Sequence, residues 1–147
     1  NEHLSIKEVL KDVKEDIRKA ITESRAEIRQ NLQVDNIYYP KINLRSVLYN
    51  LLSNAIKYRH PDRPLEVSVN AYKQDTYLVL EVEDNGLGMN GRQQEKLFSM
   101  FKRFHSHVKG TGIGLYMVKR MVENKDGRIE VISEEEKGSI FRVYLRQ

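Results

Sequence analysis

The spacing of apolar residues changes period along this chain, and the order of those changes constrains the fold more than any other feature. Ile6, Leu10, Val13, Ile17 and Ile21 recur at helical spacing, with Ser5 and Glu8 in the pattern of a capping box. Such an amphipathic helix serves equally as a seam for a partner helix or as a helix packed on its own domain. Ala26, Ile28 and Leu32 then suggest a short strand. Residues 42–58 return to helical period, with Val47, Leu48, Leu51, Leu52, Ala55 and Ile56 on one broad face, until "HPDRP" at residues 60–64 breaks the pattern. Leu65, Val67, Val69 and Ala71 alternate as a strand, and "YLVLEVED" at residues 77–84 forms another after a polar turn at residues 73–76. A polar, glycine-containing segment from residue 89 to about residue 109 has the length of a functional lid with a helical turn or two inside it. Residues 113–124 read as helix, Asp126-Gly127 as a turn, and residues 128–133 and 139–145 as a closing hairpin. This order predicts an α/β fold: a two-layer sandwich with a mixed sheet of about five strands, one layer of helices and a lid, preceded by an amphipathic helix.

A chain of 147 residues can bury the core of one such domain without disulfides or metals as staples. Hydrophobic residues make up 39% and charged residues 31%, the balance of a soluble globular chain, and no apolar run approaches the roughly 20 residues of a spanning helix. The absence of cysteine rules out a disulfide framework and suits a reducing, cytosolic setting. A first residue that is Asn1 rather than Met suggests an excised segment of a longer protein. Lys and Arg exceed Asp and Glu by 25 to 21, too mild an excess and too scattered to point to nucleic acid. The charges read as solvated faces.

Five of the eight glycines fall in two clusters, "EDNGLGM" at residues 83–89 and "KGTGIGLYM" at residues 109–117. Glycine lets main-chain N–H groups approach a ligand closely, which suggests a phosphate cradle. Three stretches carry candidate chemistry, the first two with a plainer alternative. On the helix at residues 42–58, Asn50, Asn54 and Lys57 share one edge beside the apolar face, with Tyr58 close by. An amide oxygen suits Mg²⁺, an ammonium suits phosphate, and a tyrosine offers a base a flat face; the alternative is a solvated face. Asp84 has the side-chain parity of Leu78, Leu80 and Val82, so it projects to the core side at the strand's end, where a carboxylate needs a partner such as the amine of adenine. Gly86 and Gly88 allow a tight turn past a base ring, although "DNG" is also a turn signal in its own right. Gly110, Gly112 and Gly114 lead into a helix whose first N–H groups favour phosphate oxygens.

Together these stretches resemble the nucleotide-binding boxes of the GHKL ATPase/kinase superfamily, and most closely the catalytic and ATP-binding domain of sensor histidine kinases. "LYNLLSNAIKY" is similar to the N box, "EDNGLGM" to the first glycine box, "KLFSMFKRF" to the F box, "GTGIGL" to the second glycine box and "KGSIFRVYL" to the terminal strand. The resemblance implies that Asn54 holds Mg²⁺, that Asn50 assists at the phosphates, that Lys57 and Arg103 contact phosphate, that Tyr58 flanks adenine and that Asp84 reads its amino group. Gly86 and Gly88 would shape the base turn, and Gly110, Thr111, Gly112, Ile113, Gly114 and Leu115 the phosphate grip. Superfamily members that hydrolyse ATP place a Glu four residues before the Mg-binding Asn; here that position is Asn50, so transfer to another nucleophile is favoured over hydrolysis.

The resemblance further implies a division at residues 24/25, with residues 1–24 as the end of a dimerisation helix or connector and residues 25–147 as the catalytic domain. The acceptor histidine would lie on an upstream helix, because "HLSIKEV" around His3 lacks the acceptor pattern and His105 and His107 fit a lid better than a metal site. The implied partners are ATP, the acceptor-histidine helix of the same protein, a response regulator receiver domain and a second copy in a homodimeric parent, with no nucleic acid. A cytoplasmic domain, from a parent that a membrane could anchor, completes the expectation. The alternatives are a catalytically degenerate GHKL association module and a GHKL ATPase.

Overall fold

The computed structural model describes residues 1–98 and 114–147. In chain order the elements are β1 (Glu2–Ser5), α1 (Ile6–Asp16), α2 (Arg18–Ser24), β2 (Glu27–Leu32), β3 (Asn36–Tyr39), α3 (Lys41–Lys57), β4 (Glu66–Gln74), β5 (Tyr77–Asp84), α4 (Gly91–Glu95), α5 (Gly114–Glu123), β6 (Arg128–Glu134) and β7 (Gly138–Arg146). Five of these strands form one mixed sheet in the order β2-β4-β5-β7-β6. β2 runs parallel to β4, and the other neighbours are antiparallel. A parallel pair needs a long crossover, and α3 lies on it.

Alternation puts one residue in two of each central strand on the helix side. Val67, Val69 and Ala71 of β4, Leu78, Leu80 and Val82 of β5, and Phe141, Val143 and Leu145 of β7 are all buried there. Against them lie Leu44, Val47, Leu48, Leu51, Leu52, Ala55 and Ile56 of α3 and Leu115, Val118 and Val122 of α5. The expected two-layer α/β sandwich with a five-stranded mixed sheet is what forms. Phe98, within the segment expected to form the lid, is packed against this core. Among the described residues no helix is long and apolar enough to cross a membrane.

The first 24 residues depart from expectation. In place of one helix through residue 21 there is a strand, a helix and a second short helix, interrupted at Ile17 where φ is −108° and ψ is 18°. β1 pairs antiparallel with β3 in a separate two-stranded sheet that four-residue strands are too short to announce by period. Ser5 caps α1 as its sequence implied, accepting from the Glu8 N–H at 3.3 Å. Asp35 adds what local pattern could not show: it accepts from the Lys7 N–H at 2.8 Å and the Ser5 hydroxyl at 2.7 Å, and these bonds, the Lys7 one foremost, hold its carboxyl below the usual range. Of the stripe itself, Ile6, Leu10, Val13 and Ile17 are buried, with Val9 beside them, Ile21 is partly buried against the core, and α1 packs on α3. It is not a bare seam awaiting a partner. Residues on both sides of the division expected at 24/25 share one core.

Leu10→Ala is expected to lower the unfolding free energy by about 2–5 kcal/mol, the cost of emptying a fully buried site. A seam residue truncated in a monomer would change it by only about 0.5 kcal/mol or less. Urea unfolding followed by circular dichroism distinguishes the two.

Candidate functional site

Helix α3 carries the expected residues on successive turns of one edge. Asn50, Asn54 and Tyr58 are half-buried there, and Lys57 is exposed at the last position. The rise of a helix separates residues 50 and 58 by on the order of 12 Å. At the first end, Asn50 donates its Nδ2 to the Ser46 carbonyl at 2.8 Å and to the Ser46 hydroxyl at 3.3 Å. Its Oδ1 lies 2.5 Å from where a Cβ on Gly114 would stand, so the start of α5 is pressed on this amide. At the other end the Tyr58 carbonyl accepts the Leu87 N–H at 2.9 Å, which ties the helix to the turn after β5. Between these two junctions, the Asn54 amide has no hydrogen-bond partner among the described residues; neither has the Lys57 ammonium.

Asp84 ends β5 at this junction. Its side chain is half-buried and accepts the Gly86 N–H at 2.9 Å through Oδ1. Loss of water raises its pKa from the ordinary 3.8 to about 6; N–H bonds from Gly86 and Ser139 oppose the rise, and nearby Glu83 adds to it. At neutral pH the group is a carboxylate kept partly dry, with acceptor capacity beyond its backbone partners. Its position at the core-side end of β5 agrees with the parity argument.

The glycines after it answer to the protein's own packing. Gly86 is buried, and a Cβ there would lie 2.6 Å from the Tyr58 carbonyl oxygen. Gly88 has φ +65°, and a Cβ would collide with the Glu134 carbonyl of β6. Each lets the turn approach a neighbouring element closely. Leu115 is buried in the core, which leaves only its backbone available to a ligand.

Several supporting residues escaped the sequence reading. Asn85 receives the Glu66 N–H on Oδ1 at 2.9 Å and donates Nδ2 to the Pro64 carbonyl at 3.0 Å. Arg63 donates to the carbonyls of Asn85, Gly86 and Glu136. Met89 donates its N–H to the Ser133 hydroxyl at 2.9 Å, and Glu136 donates its own to the Leu87 carbonyl at 2.7 Å. The signals available were "HPDRP", read only as a helix breaker, and the Asn of "DNG", read only as a turn former. Of the expected site residues, the structure joins Asn50 to Gly114 and the α3 terminus at Tyr58 to Gly86 and, through it, to Asp84; Leu87, which was not among them, bonds Tyr58 as well. Among the described residues, no hydrogen bond or ion pair draws Lys57 to these groups. Arg103, Gly110, Thr111, Gly112 and Ile113 lie outside the described residues, as do Phe101, Phe104, His105 and His107.

Comparison with known proteins bears on this arrangement. Residues 40–147 match the family described as histidine kinase-, DNA gyrase B-, and HSP90-like ATPase. The sensor protein RprX of Bacteroides fragilis (strain YCH46) is 32% identical over 124 residues, covering 80% of this chain and 24% of that protein. The chain thus spans about a quarter of that curated relative. The mycobacterial sensor histidine kinase MprB has the same fold, with a TM-score of 0.84 at 24% identity over 99% of this chain and 97% of that one. Full-length ShkA, solved in complex with AMPPNP, superposes with a TM-score of 0.81 at 24% identity over 98% of this chain and 31% of that one.

Burial of Asp84 makes a pH prediction. Because its pKa is higher folded than unfolded, the folded chain binds the proton more tightly, and the stability it confers falls as pH rises from about 4 to about 6, then levels off. The fall amounts to at most about 3 kcal/mol. Urea midpoints of wild type and Asp84→Asn, compared from pH 4 to pH 8, should show this slope in wild type and its absence in the variant.

Proposed function

We propose, from the premise that this chain belongs to the family of histidine kinase-, DNA gyrase B- and HSP90-like ATPases, that it binds Mg·ATP and transfers the γ-phosphoryl group to a histidine carried elsewhere in a sensor kinase. One observation carries the reading: a partly dry carboxylate, Asp84, ends a core strand within hydrogen-bond reach of the turn that is tied to the amide-bearing helix. The adenine amine is the donor that such an acceptor selects. The AMPPNP bound in the ShkA structure supports a nucleotide at this fold.

The residues divide the work along α3. At the Tyr58 end, Asp84 accepts from the base and Tyr58 flanks it. At the Asn50 end, the α5 N-terminus and the backbone of residues 110–115 receive phosphate oxygens, as exposed first-turn N–H groups do. Lys57, at the Tyr58 end of α3, and Arg103 would add positive charge for the phosphates. A separation on the order of 12 Å between the two ends suits an extended nucleoside triphosphate. Mg²⁺ fits Asn54, whose half-buried amide has no partner among the described residues; the ion would supply neutralising charge to the phosphates. The acceptor imidazole nitrogen forms a bond to the γ-phosphorus as the bond to the β,γ-bridging oxygen breaks and ADP leaves. Positioning and charge neutralisation suffice for such a transfer. Hydrolysis is disfavoured because the residue at position 50 is an amide, engaged with Ser46, that cannot take a proton from water.

The parent is proposed to act on the cytoplasmic side, as a homodimer, with a response regulator receiver domain taking the phosphoryl group onward. Titration with a fluorescent ATP analogue in Mg²⁺ should show saturable binding by wild type. Asn54→Ala should weaken it by roughly tenfold or more, the worth of one lost charge-assisted contact, and the two proteins should converge when Mg²⁺ is chelated. A wild-type chain that fails to bind overturns the reading. In a chain that includes the upstream helix, ATP should leave phosphate that is labile to acid and stable to alkali; acid-stable phosphate, or none, contradicts histidine as acceptor.

A further inference from the structure

The turn that follows Asp84 is held by a side chain that no nucleotide box includes. Arg63 lies in the loop between α3 and β4, half-buried, and donates only to main-chain carbonyls: Nε to Asn85 at 2.8 Å, Nη2 to Gly86 at 2.9 Å, and Nη2 also to Glu136 in the β6–β7 turn. Among the described residues no carboxylate pairs with it. A charged group in this setting is a clamp on backbone.

What the clamp grips is two successive peptides. In the first, Arg63 holds the Asn85 carbonyl, and the N–H of the same peptide, that of Gly86, donates to Asp84 Oδ1. In the second, Arg63 holds the Gly86 carbonyl, and the peptide's N–H, that of Leu87, donates to the Tyr58 carbonyl. Each peptide plane is pinned at both ends, once by Arg63 in each case. The plane that orients one carboxylate oxygen of Asp84 therefore cannot rotate without breaking a bond to the guanidinium. Asn85 and the Pro64 carbonyl fix the loop that carries Arg63, and His60 Nε2, 3.0 Å from Glu136 Oε1, joins the same loop to the β6–β7 turn.

We propose that Arg63 is a positioning residue for base selection: by pinning the 85–86 and 86–87 peptides it aims the Asp84 carboxylate, and so sets the preference for adenine over other purines. The proposal rests on the reading of Asp84 as the group that meets the base. Lysine does not substitute, since a single ammonium cannot occupy the Nε and Nη positions of a planar fork together.

The test is the ratio of affinities for Mg·ATP and Mg·GTP, measured by calorimetry on wild type and on Arg63→Met, which keeps an unbranched stem without the fork. Wild type is expected to prefer ATP, and Arg63→Met to lose about tenfold to a hundredfold of that preference, the span of one misdirected charge-assisted hydrogen bond. A merely structural role would weaken both nucleotides alike and leave the ratio unchanged, which overturns the proposal. If circular dichroism shows Arg63→Met unfolded, Arg63→Lys carries the same test: lost selectivity supports the clamp, and wild-type selectivity refutes it. A wild type that binds neither nucleotide overturns the functional reading and this proposal with it, whereas a selective wild type matched by equally selective variants overturns this proposal alone.

Discussion

One backbone contact organises the molecule: the Tyr58 carbonyl at the end of α3 accepts the Leu87 N–H from the turn after β5. It needs a residue without a side chain beside it, and Gly86 provides one. The contact joins the helix layer to the sheet layer at the point where a strand's alternation delivers a carboxylate. Back along the helix from it, Asn54 and Asn50 stand on successive turns, and the start of α5 is seated against Asn50. Were the turn to lift, Asp84 and the amide edge would no longer belong to one surface.

A carboxylate kept partly dry is a standing cost to the apo chain, and two backbone N–H donors offset some of it. The arrangement makes sense for a group whose remaining acceptor capacity is reserved for a ligand's donor. On the proposed reading, stability and recognition pull in opposite directions at this one residue. The surroundings are correspondingly overdetermined: Arg63, Ser133 and Glu136 bond the main chain of the turn, and the Asn85 side chain ties the turn to the main chain of residues 64 and 66.

On the other face of the sheet a group of charged and tyrosine side chains pair with one another. Arg142 bridges Glu81 at 2.6 Å and Glu130 at 3.3 Å, Tyr72 and Tyr144 donate to those carboxylates, and Arg128 lies over the Tyr144 ring. The Glu81 carboxylate raises the Arg142 pKa further, so the guanidinium is charged at every accessible pH. Partly exposed pairs of this kind contribute about 0–1 kcal/mol each, little beside the core. On the helix side, burial of the α1 stripe against α3 gives the same economy of surface: the N-terminal segment completes the layer that carries the site.

Local chemistry was legible from the residues alone. The strand β5 with Asp84 on its core side, the helix α3 with Asn50, Asn54 and Lys57 on one edge, and the closing hairpin follow from periods of 2 and 3.6, which arise between residues two to four apart. Membership in the ATPase family was likewise implied by the order of its boxes. Only the tertiary structure decided that the α1 stripe is covered at home, that β1 and β3 pair, that Gly86 and Gly88 serve close approaches of backbone, and that Arg63 grips the turn. Those facts depend on residues 58 and 87, or 63 and 136, meeting after the chain has reversed, and no pattern of neighbours along a sequence encodes which distant carbonyl a side chain will find.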